Sequence, residues 1–474
     1  MRFHLQLLLA ITCLAVLVWT ACGDIDESGT GGDADTDADT DTDADTDTDA
    51  DTDTDTDTDT GDFAGNFTVH VVDTGLVGPS FISVADIDGD GNQDLIVSSF
   101  GPLSDLQMRG TLAVYYGGGA LDAWTRADVF TQSSTLKFPN ATTVADVDGD
   151  GDLDIIVPGG FLACATFSGC GSLSWWENDD GAWVRHDIVP YGSELFFHHA
   201  ELGDIDGDGI DDLVVVGEAR ITQIFPPSSH DLLEARWYKG IADGLRFETE
   251  PRVMGEGLGS IPSLHDLTGD GRLDVVSAEY FFDDIFDQAS FAWMEQVAAP
   301  GAEHPAGVWT RHVIADDVGP SIQFSLVPDL FGDGVLRGVG SNHTNIHHDD
   351  IESGIFVYDI PADPRTSPWS GAMISEGIES VQGTQFAPQA APGVFGWGDI
   401  DGDGDIDLVV SGDGDKRVFA LEQIAPGVFA THVLLEDFGQ AGVAVADLTG
   451  DGRPEIVATS YEQNLVVVLA WSGD

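Results

Sequence analysis

Asp86-Ile87-Asp88-Gly89-Asp90-Gly91-Asn92-Gln93-Asp94 runs directly into the apolar stretch Leu95-Ile96-Val97. The nine residues recur along the chain. Full copies open at Asp146, Asp204 and Asp399, variants at Asp266 and Asp447, and a degenerate copy at Asp329. The pattern D-x-D-G-D-G-x-x-D gathers carboxylates on one tight turn, and its glycines free the backbone where a Cβ would clash. Calcium is a hard cation that takes about six to eight oxygen ligands, so such a turn suits it. A lone D-G-D-G stretch is an ordinary Asx turn, but four full copies in register ask for a common purpose.

Each loop yields a candidate ligand set. Positions 1, 3 and 5 supply carboxylates, position 7 a main-chain carbonyl and position 9 a closing carboxylate. The first loop offers Asp86, Asp88, Asp90, Asn92 and Asp94, and the second Asp146, Asp148, Asp150, Asp152 and Asp154. The third offers Asp204, Asp206, Asp208, Ile210 and Asp212, and the sixth Asp399, Asp401, Asp403, Asp405 and Asp407. In the fourth, the Thr268 hydroxyl takes position 3 among Asp266, Asp270, Arg272 and Asp274. The seventh reads Asp447, Thr449, Asp451, Arg453 and Glu455. The fifth keeps Asp329 and Asp333 but has Phe331 at position 3 and Arg337 at position 9. A cation in the last ligand position repels a metal, so that loop is expected to be empty. Five or six Ca2+ sites are expected, weaker at the fourth and seventh loops. An EF-hand shares the first half of the pattern but ends in Glu at position 12 between helices; these loops lie between strands.

The first aspartates of successive loops are 48 to 70 residues apart, which is room for four short strands each time. An inner strand precedes each loop, as Phe81 to Ala85 does the first, and a second strand follows it. A third strand is aromatic, as in Leu173-Ser174-Trp175-Trp176, and a fourth reads Trp-x-x-His-x-Ile or close to it, as in Trp183 to Ile188 and Trp309 to Ile314. Its recurrent histidines, His70, His186, His312 and His432, repeat in phase and are read as structural. Phe67 to Val72 matches a fourth strand yet precedes the first unit, and the last unit stops after its third strand at Trp471. The prediction is an all-β, seven-bladed β-propeller over residues 63–474, closed by an N-terminal strand that completes the last blade. Such closure hides sheet edges.

The phrase Val-Ala-Asp-x-Asp-Gly-Asp-Gly, at Val84 to Gly91 and Val144 to Gly151, resembles the FG-GAP/VCBS repeats of integrin-α-like propellers. The resemblance covers about residues 63 to 474. It implies structural calcium in the blade hairpins and ligand binding on the opposite face, without implying one ligand or one reaction.

Residues 1–21 read as a signal peptide, with Arg2 ahead of the apolar stretch Leu5 to Val18. Trp19-Thr20-Ala21-Cys22 resembles a bacterial lipoprotein cleavage box, which makes Cys22 the lipidated residue. Residues 22–62 form an acidic tether, purely Asp-Thr and Asp-Ala from Asp33 to Thr60. It has nothing with which to build a core and is expected to be disordered. Cys164 and Cys170 are expected to pair, as befits an exported protein. The net charge of −67, with 17 Lys and Arg against 84 Asp and Glu, excludes nucleic acid as a partner. It also leaves the lipid anchor as the only membrane contact. The expected location is the bacterial cell envelope, at the outer membrane or cell surface.

The opposite face is the expected ligand face, because loops on a rigid scaffold carry function. Its candidates are His198, His199, Tyr280, His343, His347 and His348. With Asp349 nearby, the histidines around His343 are also read as either a transition-metal site or a polar loop. No Gly-x-Ser-x-Gly elbow, His-Glu-x-x-His or phosphate loop occurs. The expectation is a calcium-binding surface lipoprotein that holds an extracellular glycan or protein in adhesion and is not an enzyme. Two alternatives remain: a polysaccharide lyase or hydrolase with its site on the opposite face, and a structural envelope protein.

Overall fold

The computed structural model describes residues 63–473 except 103–108, 134, 161–168, 180, 225–226, 243–245, 281–289, 346–350, 382, 385–386 and 440. Of residues 220, 221–224, 227–231, 383–384, 387–388 and 441 only the backbone is described. The signal, Cys22 and the tether lie outside the described residues, as do Cys164, His347, His348 and Asp349. All described residues fall in the compact unit Thr60–Asp474.

The unit is an all-β propeller. Except at the closure described below, its four-stranded antiparallel sheets follow chain order, so each strand pairs with its neighbour in sequence. Pro79–Ala85, Asp94–Ser99, Thr111–Tyr116 and Thr125–Phe130 form the first. The second strand of a sheet is buried along its whole length, as at Asp94–Ser99, Asp154–Gly159 and Glu455–Ser460. It is covered by sheets on both faces, which explains why its sequence is a continuous apolar run and not an alternation. The fourth strand of the first sheet, Thr125–Phe130, has no fully buried residue.

Seven separate blades were expected. Among the described residues there are five four-stranded sheets and one eight-stranded sheet, besides the two-residue pair Gly383–Thr384 with Ala387–Pro388. The eight-stranded sheet consists of two four-stranded antiparallel halves joined by one parallel bridge, Ile261 to Gln323. Next to the bridge, the Ser260 hydroxyl donates to the Ile322 carbonyl, a contact between the inner strands Gly259–His265 and Ser321–Val327.

Comparable clasps join other neighbouring sheets. Ser83 Oγ donates to the Thr142 carbonyl at 2.8 Å, Thr143 Oγ1 to Ala200, and Ser341 Oγ to Gly393 at 2.6 Å. Gln323 binds the Phe395 backbone twice, giving a bond from Nε2 to the carbonyl and accepting one from the N–H at Oε1. The ring closes where the Thr459 hydroxyl donates to the Ser80 carbonyl. Each bond contributes only about 1 kcal/mol, but together they set the phase of one sheet against the next.

The N-terminal strand closes the propeller as its sequence suggested. Phe67–Asp73 pairs antiparallel with Leu465–Trp471, with Phe67 opposite Trp471. Phe63 locks the junction by packing on Phe67, Trp471 and the His432 ring. Apolar side chains from neighbouring sheets interleave between them. Val214, Val216 and Trp237 meet Val275, Ala292 and Met294, for example, and Leu95, Val97 and Tyr115 meet Val457, Val466 and Val468.

The recurrent fourth-strand histidines are structural. His186 stacks on Trp175 at 4.3 Å and bonds Glu177 at 2.6 Å. His312 stacks on Trp293 and bonds Glu295 at 2.9 Å, and His432 bonds Glu422 at 2.7 Å. Cys170 is disulfide-bonded.

Candidate functional site: the Asp loops and the axial mouth

The Asp loops occupy one end of the propeller, between the first and second strand of each sheet. Their carboxylates do two jobs. The position-1 aspartate caps its own turn: Asp86 Oδ2 accepts the Gly91 N–H, and Asp204 accepts from Gly207, Asp208 and Gly209. The position-9 aspartate turns inward and joins the loop to the sheet. Asp94 accepts the Ile87 N–H at one oxygen and the Gly117 N–H, beyond the third strand, at the other. Asp154, Asp212, Asp274 and Asp407 repeat the arrangement. Burial pushes Asp94, Asp154, Asp212 and Asp274 up to about 6 and Asp407 up to about 8. This keystone role was not read from the sequence, where position 9 counted only as a ligand.

Four loops bring three carboxylate oxygens within 4.8 Å of one another: Asp86, Asp88 and Asp90; Asp146, Asp148 and Asp154; Asp204, Asp206 and Asp212; Asp399, Asp401 and Asp407. A cation fits these sets. Asp86 Oδ1, Asp206 Oδ1 and Thr268 Oγ1 are buried with no hydrogen-bond partner among the described residues, at positions 1, 3 and 3 of their loops. Buried polar atoms are seldom left so, and a metal would satisfy them. Position 5 stands apart from the sets at Asp150, Asp208 and Asp403, where the carboxylate caps the position-7 N–H.

Local cations differ between loops. In the third, Lys239 reaches both Asp206 and Asp208. In the fourth, Arg272 pairs with Asp270. The seventh turns Glu455 onto the Leu448 N–H, with Thr449 at 3.4 Å. In the fifth, Arg337 grips Asp333 and its guanidinium covers the Phe331 ring at 4.0 Å. Those hydrogen bonds hold the Asp333 carboxyl down to about 2.

At the other end, the ends of the second strands meet around the axis. The register is simple: the sixth residue after position 9 of each loop is Phe100, Gly160, Glu218, Tyr280, His343, Asp413 and Tyr461 in turn. His198 enters beside them from its inner strand, Phe196–Gly203. The structure therefore unites three of the expected ligand-face residues. The His198 ring lies 5.4 Å from that of Tyr280, and the Tyr280 ring 5.2 Å from that of His343. All three are buried. His199 does not join them; it faces the Ala141 carbonyl and Glu201.

The polarity of this mouth is specific. His343 Nδ1 donates to the Pro392 carbonyl at 2.6 Å, which leaves Nε2 as its acceptor nitrogen. Burial pushes His343 down to about 4, with His198 adding to the effect, so the ring is a neutral base. Glu218, fully buried, accepts the Ser260 N–H at 2.9 Å and meets His198 Nε2 at 3.3 Å. Asp413, in the left-handed region at φ 51°, is pushed up to about 7 by burial and by Glu462. Glu279 is pushed up to about 7 mainly by burial, against its pairing with Arg311, and its Oε2 has no hydrogen-bond partner among the described residues. Glu218, Glu279 and Asp413 were missed in the sequence. The repeat register was the signal that would have found Glu218 and Asp413, with Glu279 one residue before Tyr280. The transition-metal reading of the loop around His343 also involved His347, His348 and Asp349, which lie outside the described residues.

Residues 86–157 and 399–458 match the FG-GAP-like repeat family, and both stretches open on the first aspartate of an Asp loop. The chain carries FG-GAP-like repeats in a propeller. None of the curated proteins matches it. Similar solved structures include the α-L-arabinanase of Penicillium chrysogenum complexed with arabinobiose, at 10% identity and TM-score 0.45 over 85% of this chain and 98% of that one. The α-L-arabinofuranosidase of Fusarium graminearum with arabinobiose follows at 9% and 0.46 over 86% and 98%. A polysaccharide lyase, an ulvan lyase, gives 12% and 0.42 over 85% and 95%. At such identities none of them says what this chain acts on. They do correct one expectation. The view that the chain is not an enzyme rested on a propeller without a catalytic motif, and these similar structures are enzymes.

Proposed function

We propose that this protein cleaves a glycan at the axial mouth, as a polysaccharide lyase or hydrolase. The carrying observation is the convergence of His198, Tyr280 and His343 with the carboxyl groups of Glu218 and Asp413 at one end of the propeller. Acid–base catalysis needs groups whose proton affinities are pushed apart by their surroundings. His343 is held neutral and offers Nε2 to a proton. Asp413 keeps its own proton close to neutrality and offers it to a leaving oxygen. Glu218 orients His198, and Tyr280 lies between the two sides, its phenol held protonated by burial beside Asp413 and Glu218.

The other parts of the proposal support this site. Reading each half of the eight-stranded sheet as a blade makes the propeller seven-bladed. Calcium in the Asp loops would be held by the four three-carboxylate sets and, more weakly, by the fourth and seventh loops. It would supply charge neutralisation and cross-linking far from the mouth. A signal peptide over 1–21, a lipid on Cys22 and the acidic tether would place the propeller on a bacterial cell surface.

The test is to incubate the protein with a panel of polysaccharides while following new reducing ends and the ultraviolet absorbance of unsaturated sugars. Cleavage that falls at least about 100-fold in His343→Ala, a typical loss for an acid–base group, supports the reading. Saturable binding without cleavage of any polymer would return the protein to the binding modules.

A further inference from the structure

We propose that the Asp loops take calcium in coupled pairs, the first with the second and the third with the fourth, through the side-chain amides of Asn178 and Gln296. The inference rests on the reading of the Asp loops as calcium sites. Position 2 of a loop lies between two candidate ligands, so whatever holds its carbonyl bears on where those ligands stand. In three loops that holder is an amide from the next sheet along the chain. Asn178 Nδ2 donates to the Ile87 carbonyl of the first loop at 3.3 Å, Gln296 Nε2 to the Ile205 carbonyl of the third at 2.9 Å, and Gln423 Nε2 to the Leu330 carbonyl of the fifth at 2.8 Å.

The same residues are tied by their backbone to a second loop. The Asn178 N–H donates to Asp154 of the second loop at 2.9 Å, that of Gln296 to Asp274 of the fourth at 2.9 Å, and that of Gln423 to Asp407 of the sixth at 2.8 Å. On the near side, Ile87 donates its own N–H to Asp94, and Ile205 to Asp212. One continuous chain therefore runs Asp94–Ile87–Asn178–Asp154, and another Asp212–Ile205–Gln296–Asp274. All eight residues are buried, and hydrogen bonds kept from water are the stronger for it. The Asn178 amide is held in its orientation by its oxygen, which accepts the Gly181 N–H at 2.9 Å.

The pairing stops at defined places. The residues that meet Asp94 and Asp212 in the same way are Gly117 and Gly240, which have no side chain to carry across. Arg246 takes the Val147 carbonyl of the second loop at 3.0 Å, but Gly240, not Arg246, holds Asp212 of the third. Gln423 ends on the fifth loop, whose Asp333 Arg337 already grips.

Closing the second loop on a cation fixes Asp154, and through it Asn178 and the Ile87 carbonyl between Asp86 and Asp88. Part of the ordering of the first loop is then done before its own cation arrives, and a site already ordered binds more tightly. The effect is reciprocal.

The experiment follows a calcium titration of the full chain by NMR of isoleucine methyl groups, with Ile87 reporting the first loop and Ile205 the third. Asp148→Ala disables the second loop and keeps both Asp154 and Asn178. Couplings between sites are about 5- to 150-fold in affinity. Two loops that fill together share this as a square root, so the Ile87 midpoint should rise at least about twofold while that of Ile205 stays. Asp270→Ala, in the fourth loop, should raise the Ile205 midpoint and leave that of Ile87. In Asn178→Ala, or in Asn178→Leu where the smaller side chain costs the fold, Asp148→Ala should no longer move Ile87. A residue that merely joined two sheets would leave that response intact. An Ile87 midpoint indifferent to Asp148→Ala, an Ile205 midpoint indifferent to Asp270→Ala, or a shift that persists without the Asn178 amide would overturn the inference and leave the calcium sites standing. Parental Ile87 and Ile205 signals that calcium never moves would bring down the calcium reading and the inference with it.

Discussion

Arg337 holds both carboxylate oxygens of Asp333, Nη1 to Oδ1 at 2.8 Å and Nη2 to Oδ2 at 2.7 Å. The guanidinium stands at position 9 of the fifth Asp loop and occupies the charge that a calcium ion would neutralise. One loop of the propeller thus carries its own cation. Asp333→Ala should leave the calcium-dependent rise in Tm at its parental size, whereas Asp90→Ala should diminish it. Melting each variant in calcium and in chelator reads the difference. One site filled at ten times its dissociation constant adds about 1.4 kcal/mol, so chelation should lower the parental Tm clearly. An unchanged Tm after proven metal removal would dispose of structural calcium.

The third loop is intermediate. Lys239 lies on Asp206 and Asp208, so a metal must displace it. Lys239→Met should raise calcium affinity there several-fold, the scale set by an ion pair of at most about 1 kcal/mol. Calorimetric titration checks this, and a weakened site would show that the lysine assists binding.

The mouth predicts its own pH profile. His343 is depressed to about 4 by burial, so it becomes a competent base once pH rises through about 4. Asp413 is raised to about 7, so it loses its donatable proton as pH rises through about 7. The dependence of kcat/KM on pH should be a bell with those two limbs, favouring mildly acidic conditions. A rate that keeps climbing above pH 7 would contradict the assignment of Asp413.

Glu218 ties His198 to Ser260, a non-glycine residue at φ 68°. Glu218→Ala removes the acceptor of a buried N–H and of the imidazole. Each orphaned group costs about 1–3 kcal/mol, so the loss of stability should be at least about 2 kcal/mol by denaturant unfolding. Glu218→Gln keeps an acceptor for Ser260 and should recover much of it. Equal losses in the two variants would mean that the charge, not the hydrogen bonding, matters at this position.

Much of the fold was legible because a repeat exposes its own period. Each Asp loop marked the turn between an inner and a second strand, and the mismatched ends, Phe67 to Val72 and Trp471, announced the closing pair. The eight-stranded sheet was not legible, since it rests on one bridge between Ile261 and Gln323, residues far apart in the sequence. The mouth was half legible. His198, Tyr280 and His343 were conspicuous as residue types, but Glu218, Glu279 and Asp413 look like ordinary surface acids until strand register places them.

By itself the sequence determined where turns and strands lie, because Asp-Gly turns and apolar runs act through local backbone and solvation energies. It also determined that the fifth loop differs, because Arg337 and Phe331 stand where ligands belong. Only the tertiary structure decided that position 9 joins loop to sheet, that His199 turns away while His198 turns in, and that a buried histidine is held neutral. Those outcomes depend on which groups from distant strands share one water-poor space, and in such a space neighbours and burial set hydrogen bonds and proton affinities.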